Sequence, residues 1–145
     1  MEILISNRAE TPAELELIKK LSQFVLTNEK AAEQAELSFS LVEPPEMKRL
    51  NKRYRNKDEA TDILSFAYGD DFASDGMLGD IILCPIVIRL KAQKEQLGYR
   101  EYFELLIVHG VLHLLGYGHK SDSAAIVMSE REEQLLKLFA FSTDE

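Results

Sequence analysis

Cysteine is nearly absent. Cys84 is the single cysteine among 145 residues. A lone cysteine excludes an internal disulfide framework and fits a reducing compartment. It ends the apolar run Ile81-Ile82-Leu83-Cys84 and reads as a small buried hydrophobe. No run suits a membrane span: residues 103–115 are apolar but too few, and they include Glu104, His109 and His113. The opening residues Met1-Glu2-Ile3-Leu4-Ile5 are too short and too acidic for a secretory signal. Internal repeats and low-complexity tracts are lacking too. The expectation is one cytoplasmic domain over residues 1–145, large enough for a substantial core.

Histidine is scarce as well, and all three lie in one stretch, His109-Gly110-Val111-Leu112-His113-Leu114-Leu115-Gly116-Tyr117-Gly118-His119. Residues four apart share a helix face, so His109 and His113 can aim at one point. Gly116 can adopt the left-handed conformation that ends helices, and the chain can then return His119 to the same centre. Three neutral imidazoles suit Zn²⁺ with a fourth position left for water. Other transition metals also accept imidazole, so Ni²⁺, Cu²⁺ and Fe stay open. The spacing is that of the metzincin zinc site. Metzincins carry a Glu general base directly after the first histidine. Here that residue is Gly110.

The net charge of −8 argues against a polyanionic partner until its distribution is considered. Lys48, Arg49, Lys52, Arg53, Arg55 and Lys57 cluster within residues 47–57, with no acid among them. The remainder is correspondingly more acidic. Such a body repels polyanions generally and admits one at a chosen place.

Residues 2–6 read as a strand. Thr11-Pro12-Ala13-Glu14 reads as a capping box with Pro at the first helical position, opening a helix to about residue 27. Residues 36–42 alternate as a half-buried strand, with Leu37, Phe39 and Leu41 on one face and Ser38 and Ser40 on the other. Pro44-Pro45 opens a helix over 45–56 whose apolar stripe is Met47, Leu50 and Tyr54. Lys48, Lys52 and Arg55 fall beside that stripe, Arg55 closest to the buried edge. Strands follow at 62–68 and 78–84, separated by an acidic loop over 69–76 that lacks the spacing of a calcium-binding loop. Three more helices complete the chain: 85–97, a central one at 100–115 carrying the first two histidines, and one within 123–139. In the last, Met128, Glu132, Leu135, Leu136 and Phe139 line one side. Tyr117 reads as a packed side chain beside the turn.

Several runs carry a resemblance in the same order. They are Leu50-Asn51-Lys52-Arg53-Tyr54-Arg55-Asn56-Lys57-Asp58, Thr61-Asp62-Ile63-Leu64-Ser65-Phe66, Leu78-Gly79-Asp80-Ile81 and the histidine motif. Together they resemble the YbeY-type endoribonucleases, over about residues 37–139. The resemblance implies an α+β, zincin-like domain with a four-stranded mixed sheet, about five helices, and the two leading histidines on the central helix. It implies a single-strand-specific, metal-dependent RNA endonuclease. Its partners would be single-stranded RNA, ribosomal RNA and the small ribosomal subunit. Its tasks would be maturation of the 3′ end of small-subunit (16S) rRNA and ribosome quality control. By position, His109, His113 and His119 are the metal ligands and Arg55 the catalytic arginine, with His109 also counted in the catalytic set. The family's usual Asp before the third histidine is here Gly118.

A metal with an open position can bind a phosphoryl oxygen or lower the pKa of bound water to about 7. The planar fork of Arg55 can hold two phosphate oxygens. The general base stays open between metal-bound hydroxide and an acid elsewhere. Asp62 and Asp80 are candidates by their places near strand ends, though each suits a structural hydrogen-bonding role. Two rival readings are a zinc peptidase and a ribosome-associated module with structural zinc.

Overall fold

The structure, a computed structural model, describes residues 1–9, 14–68 and 76–143. Four strands and five helices occur among them, in the order β1 (Glu2–Asn7), α1 (Leu15–Asn28), β2 (Glu36–Leu41), α2 (Pro44–Arg55), β3 (Ile63–Ala67), β4 (Met77–Leu83), α3 (Pro85–Lys94), α4 (Tyr99–Leu114) and α5 (Asp122–Thr143). The sheet order is β1-β2-β4-β3. The first three are parallel, and β3 runs antiparallel to β4 at the edge.

Alternation places the layers. Leu37, Phe39 and Leu41 of β2 join Leu78, Ile81 and Leu83 of β4 in the main core. Helices α1, α4 and α5 close that core with Leu21, Val25, Phe103, Ile107, Leu112 and Leu135. Each such side chain contributes about 1.5–3 kcal/mol when fully buried. The sheet's other face packs a smaller cluster of Val42, Met47, Leu64 and Cys84, with Leu50 and Phe66 against it. The strands therefore present Ile63 toward α4, and Leu64 and Phe66 toward α2. Helix α4 packs against α1, α3, α5, β3 and β4, which makes it the central helix.

Several expected boundaries move. The expected capping residues Thr11, Pro12 and Ala13 lie outside the described residues; Glu14 immediately precedes α1 and makes no side-chain cap. The loop over 69–75 also lies outside them. Helix α3 stops at Lys94 rather than residue 97, and Leu97 is 45% exposed. Strand β4 ends at Leu83, and buried Cys84 is the residue on which Pro85 starts α3. On α2 the expected apolar Tyr54 is 50% exposed, while polar Asn51 is buried and donates to the Glu59 carbonyl at 2.8 Å. That bond holds the chain leaving α2, after Asn56 has ended the helix in the left-handed conformation with φ 57°.

Candidate metal and nucleic-acid site

The end of α4 builds the site. His109 and His113 stand one turn apart on it, and Leu115 is its capping residue. Beyond the cap, the Gly116 N–H donates to His113 O and the Tyr117 N–H donates to Leu112 O, both at 3.1 Å. This pair of bonds is the Schellman pattern, which needs a left-handed residue just past the cap. Gly116 supplies it with φ 105°. The chain turns back, and the His119 ring stacks on His109 with centroids 5.0 Å apart and on His113 at 6.3 Å.

His109 is anchored from α5. Its Nδ1 lies 2.6 Å from Oε2 of Glu132, whose side chain is only 12% exposed. An ionised carboxylate only accepts, so Nδ1 is the donor in this pair. The turn is anchored by the same helix. Tyr117 donates its hydroxyl to Glu29 Oε1 at 2.5 Å, and Arg131 holds the other Glu29 oxygen at 2.9 Å. Burial, and then that bond to Glu29, push the Tyr117 phenol up, so it stays a neutral donor. Tyr117 is thus committed to packing, as its place beside the turn suggests.

A cleft of about 180 Å³ opens over the histidines, lined also by Arg55, Ile63, Leu64 and Ser65. Arg55 reaches it from the last position of α2. Its guanidinium lies 4.9 Å over the Phe66 ring, and Nη2 donates to the Ser65 carbonyl at 3.0 Å. The stack and the bond fix the plane of the fork while leaving other N–H groups free. The sequence-predicted site residues therefore share one cleft, although Arg55 is 54 positions before His109 in the chain.

The cleft's donors suit a transition metal by type. Burial pushes the His113 imidazole below its ordinary pKa, opposed by the nearby Tyr117 main chain and reinforced by the other two histidines and Arg55. Its ring is thereby kept in the neutral form that ligates. Its Nδ1 is buried without a hydrogen-bond partner among the described residues. The ring planes lie only 12° and 10° apart. Among the described residues no three His, Cys, Asp or Glu side chains already close on a metal position. The three imidazoles line one common space, the cleft described above.

The family model for Endoribonuclease YbeY matches residues 4–140. The chain belongs to the endoribonuclease YbeY family. It is 37% identical over 127 residues to Endoribonuclease YbeY of Francisella tularensis subsp. tularensis strain SCHU S4, covering 83% of this chain and 74% of that one. To its counterpart in Francisella tularensis subsp. novicida strain U112 it is 39% identical over 108 residues, covering 70% and 66%. The fold is similar to the solution structure of TM1509 from Thermotoga maritima, with TM-score 0.66 and 21% identity over 97% of this chain and 93% of that one.

In this YbeY-family chain neither candidate base is among the residues lining the histidine cleft. Asp62 is buried and fully engaged: Oδ1 accepts from the Ile63 N–H at 2.8 Å, and Oδ2 accepts from the Tyr102 hydroxyl at 2.5 Å and pairs with Lys91 at 3.3 Å. Burial, and then that bond, push the Tyr102 phenol up strongly. Asp80 lies on the α2 side of the sheet, where Ser38 and Tyr68 donate to its two oxygens. Cavity size is no guide to the site either. A groove of about 740 Å³ between β1 and α1 exceeds the histidine cleft, yet among its described lining residues there is no histidine or arginine.

Gly110, which replaces the metzincin base, faces the sheet. A Cβ there would lie 3.0 Å from Ile81 Cδ1 and 3.2 Å from Ile63 Cδ1. The position belongs to helix–sheet packing. Reading the sequence alone misses Glu29, Arg131 and the role of Glu132. The one available signal is Glu132 itself, an acid on the same side of α5 as Met128, Leu135 and Phe139. An acid on a core-facing stripe needs a buried partner.

Proposed function

We propose that this chain is a zinc-dependent endoribonuclease specific for single-stranded RNA. Its place would be ribosomal RNA processing on the small ribosomal subunit in the cytoplasm, at the 3′ end of 16S rRNA and in ribosome quality control. The observation that carries this reading is the meeting of three histidines and Arg55 in one cleft.

His109, His113 and His119 would hold the metal, which when bound supplies Lewis acidity toward a phosphoryl oxygen and a more acidic bound water. Arg55, its fork steadied by Phe66 and Ser65, can donate to phosphate oxygens as negative charge grows on them. Lys48 and Lys52 lie within 4.0 Å of Asp58, at the limit of ion pairing, and all three are well exposed. Such pairs contribute little and leave both lysines available to a polyanion's backbone. A single strand suits this site because the cleft is small and its rim exposed, so an unpaired backbone can bend into it.

The peptidase alternative uses the histidines and leaves this basic helix without a task. A purely structural zinc would need a fourth protein ligand, usually cysteine. Cys84 belongs to the cluster under α2 and does not line the cleft. Zinc-loaded protein incubated with single-stranded RNA, duplex RNA and a generic peptide, each with and without chelator, tests the reading. The expected result is cleavage of single-stranded RNA alone, abolished by chelator. Chelator-insensitive RNA cleavage would refute the metal dependence, and peptide cleavage without RNA cleavage would refute the activity.

A further inference from the structure

We propose that Glu132 is a positioning residue that sets the tautomer of His109, so that the Nε2 lone pair faces the cleft. The proposal rests on the reading of the histidines as metal ligands and adds a residue from a different helix to that site.

The geometry is specific. Nδ1 of His109 and Oε2 of Glu132 are 2.6 Å apart, a short hydrogen bond of the kind an ionised acceptor makes. The carboxylate is mostly buried, on the side of α5 whose neighbours Met128, Leu135 and Phe139 belong to the core. A buried carboxylate is costly unless hydrogen-bonded. Among the described residues, His109 is the partner Glu132 has. Its neighbour Arg131 does not neutralise it, because that guanidinium is spent on Glu29 at 2.9 Å and on Gln134 at 3.0 Å. The bond therefore needs the proton on Nδ1, and in the neutral imidazole that leaves the lone pair on Nε2.

The location strengthens the argument. Glu132 is 23 residues after His109 and sits on a helix that contributes none of the described side chains lining the cleft. Adjacent residues of α5 thus hold two parts of the site. Glu132 fixes His109, while Arg131, through Glu29 and Tyr117, fixes the turn that delivers His119. Helix α5 acts as a brace rather than a source of reacting groups. Partners of this kind, when removed, typically weaken a metal site about 10–100-fold.

The test uses the full chain, first without metal. Long-range ¹⁵N–¹H correlation of the imidazoles, recorded across a pH series, reports which ring nitrogen carries the proton in the neutral ring. Wild type is expected to show His109 protonated on Nδ1. Glu132→Ala should shift it toward the Nε2-protonated form, leaving the His113 and His119 signals in place. Glu132→Gln keeps an acceptor oxygen and should restore the wild-type tautomer at least in part, which a merely space-filling role would not produce. Zinc titration should then give affinities about 10–100-fold weaker in Glu132→Ala. An unchanged His109 tautomer in Glu132→Ala, in a variant whose circular dichroism is that of wild type, would overturn the proposal. If wild type takes up no zinc, the metal reading falls. The tautomer measurement still decides whether Glu132 orients His109.

Discussion

Gly110 faces Ile81 so closely that a Cβ on it would lie 3.0 Å from the Ile81 Cδ1. Both atoms that a new side chain would meet first, on Ile81 and Ile63, are tips of flexible side chains. Gly110→Ala should therefore shift stability by no more than about 1 kcal/mol, since the gain in helix propensity offsets the crowding. Gly110→Glu is different. It would drive a carboxylate into the apolar space between α4 and the sheet and should cost about 3 kcal/mol or more. Denaturant unfolding of the two variants measures both. A Gly110→Glu chain as stable as wild type would mean the position opens to the cleft instead, as a metzincin base would require.

Gly116 and Gly118 both have open space around the position of a Cβ, and they differ in backbone conformation alone. Gly116 has φ 105°, and Gly118 is not among the residues of positive φ. Gly116→Ala should thus cost about 1–2 kcal/mol, the penalty of a left-handed L-residue, and Gly118→Ala close to none. Gly116→Val should also displace the Schellman turn, move His119 and weaken zinc binding. Equal stability of the two Ala variants, or full zinc affinity in Gly116→Val, would contradict this account.

The contrast between that turn and its supports shows what a sequence reveals. Helix α4, its end at Gly116 and the return of His119 were legible because each rests on residues within a few positions of one another. The alternation of Leu37, Phe39 and Leu41 was legible for the same reason. Arg55 became a candidate only through its place in a recognised run, since nothing local ties α2 to α4. Glu132 was visible as a member of the α5 stripe, but its partner is 23 residues away and no periodicity links them. Tyr54 was misplaced because helical spacing predicts which residues share a face, not how far the sheet extends beneath that face. Past the edge of the small cluster, the tyrosine packs edge-on against Phe66 and remains half exposed.

Asp62 is tied to Tyr102, Lys91 and the Ile63 amide, so its loss should register in stability and not in catalysis. Tyr102→Phe removes one donor from a buried carboxylate, a loss of about 1–2 kcal/mol. Asp62→Asn should also destabilise. In either folded variant, RNA cleavage at saturating enzyme should stay within a few-fold of wild type. Removing a general base costs on the order of 10²–10⁴ in rate. A fall of that size in a folded Asp62→Asn enzyme would return Asp62 to the chemistry.

The role of Arg55 separates a nuclease from a peptidase, because among the described residues lining the histidine cleft its guanidinium is the one permanent cation. If the cleft cuts RNA, Arg55→Ala removes a charge-assisted donor aimed at the reacting phosphate. Loss of such a donor costs on the order of 10²–10³ in rate. Zinc content should not change, since arginine does not ligate zinc. Arg55→Lys should recover only part of the loss. An ammonium restores the charge but not the planar fork that lies over Phe66 and bonds to Ser65. Lys48→Ala and Lys52→Ala should behave differently, weakening RNA binding and flattening its salt dependence while the cleavage step stays nearly intact. Single-turnover cleavage at saturating enzyme, with binding measured across a salt series, distinguishes these effects. A zinc-loaded Arg55→Ala enzyme that cleaves at the wild-type rate would remove Arg55 from the mechanism. An Arg55→Lys enzyme with full activity would show that charge alone suffices, and that the stacked, hydrogen-bonded fork has no part in positioning the phosphate.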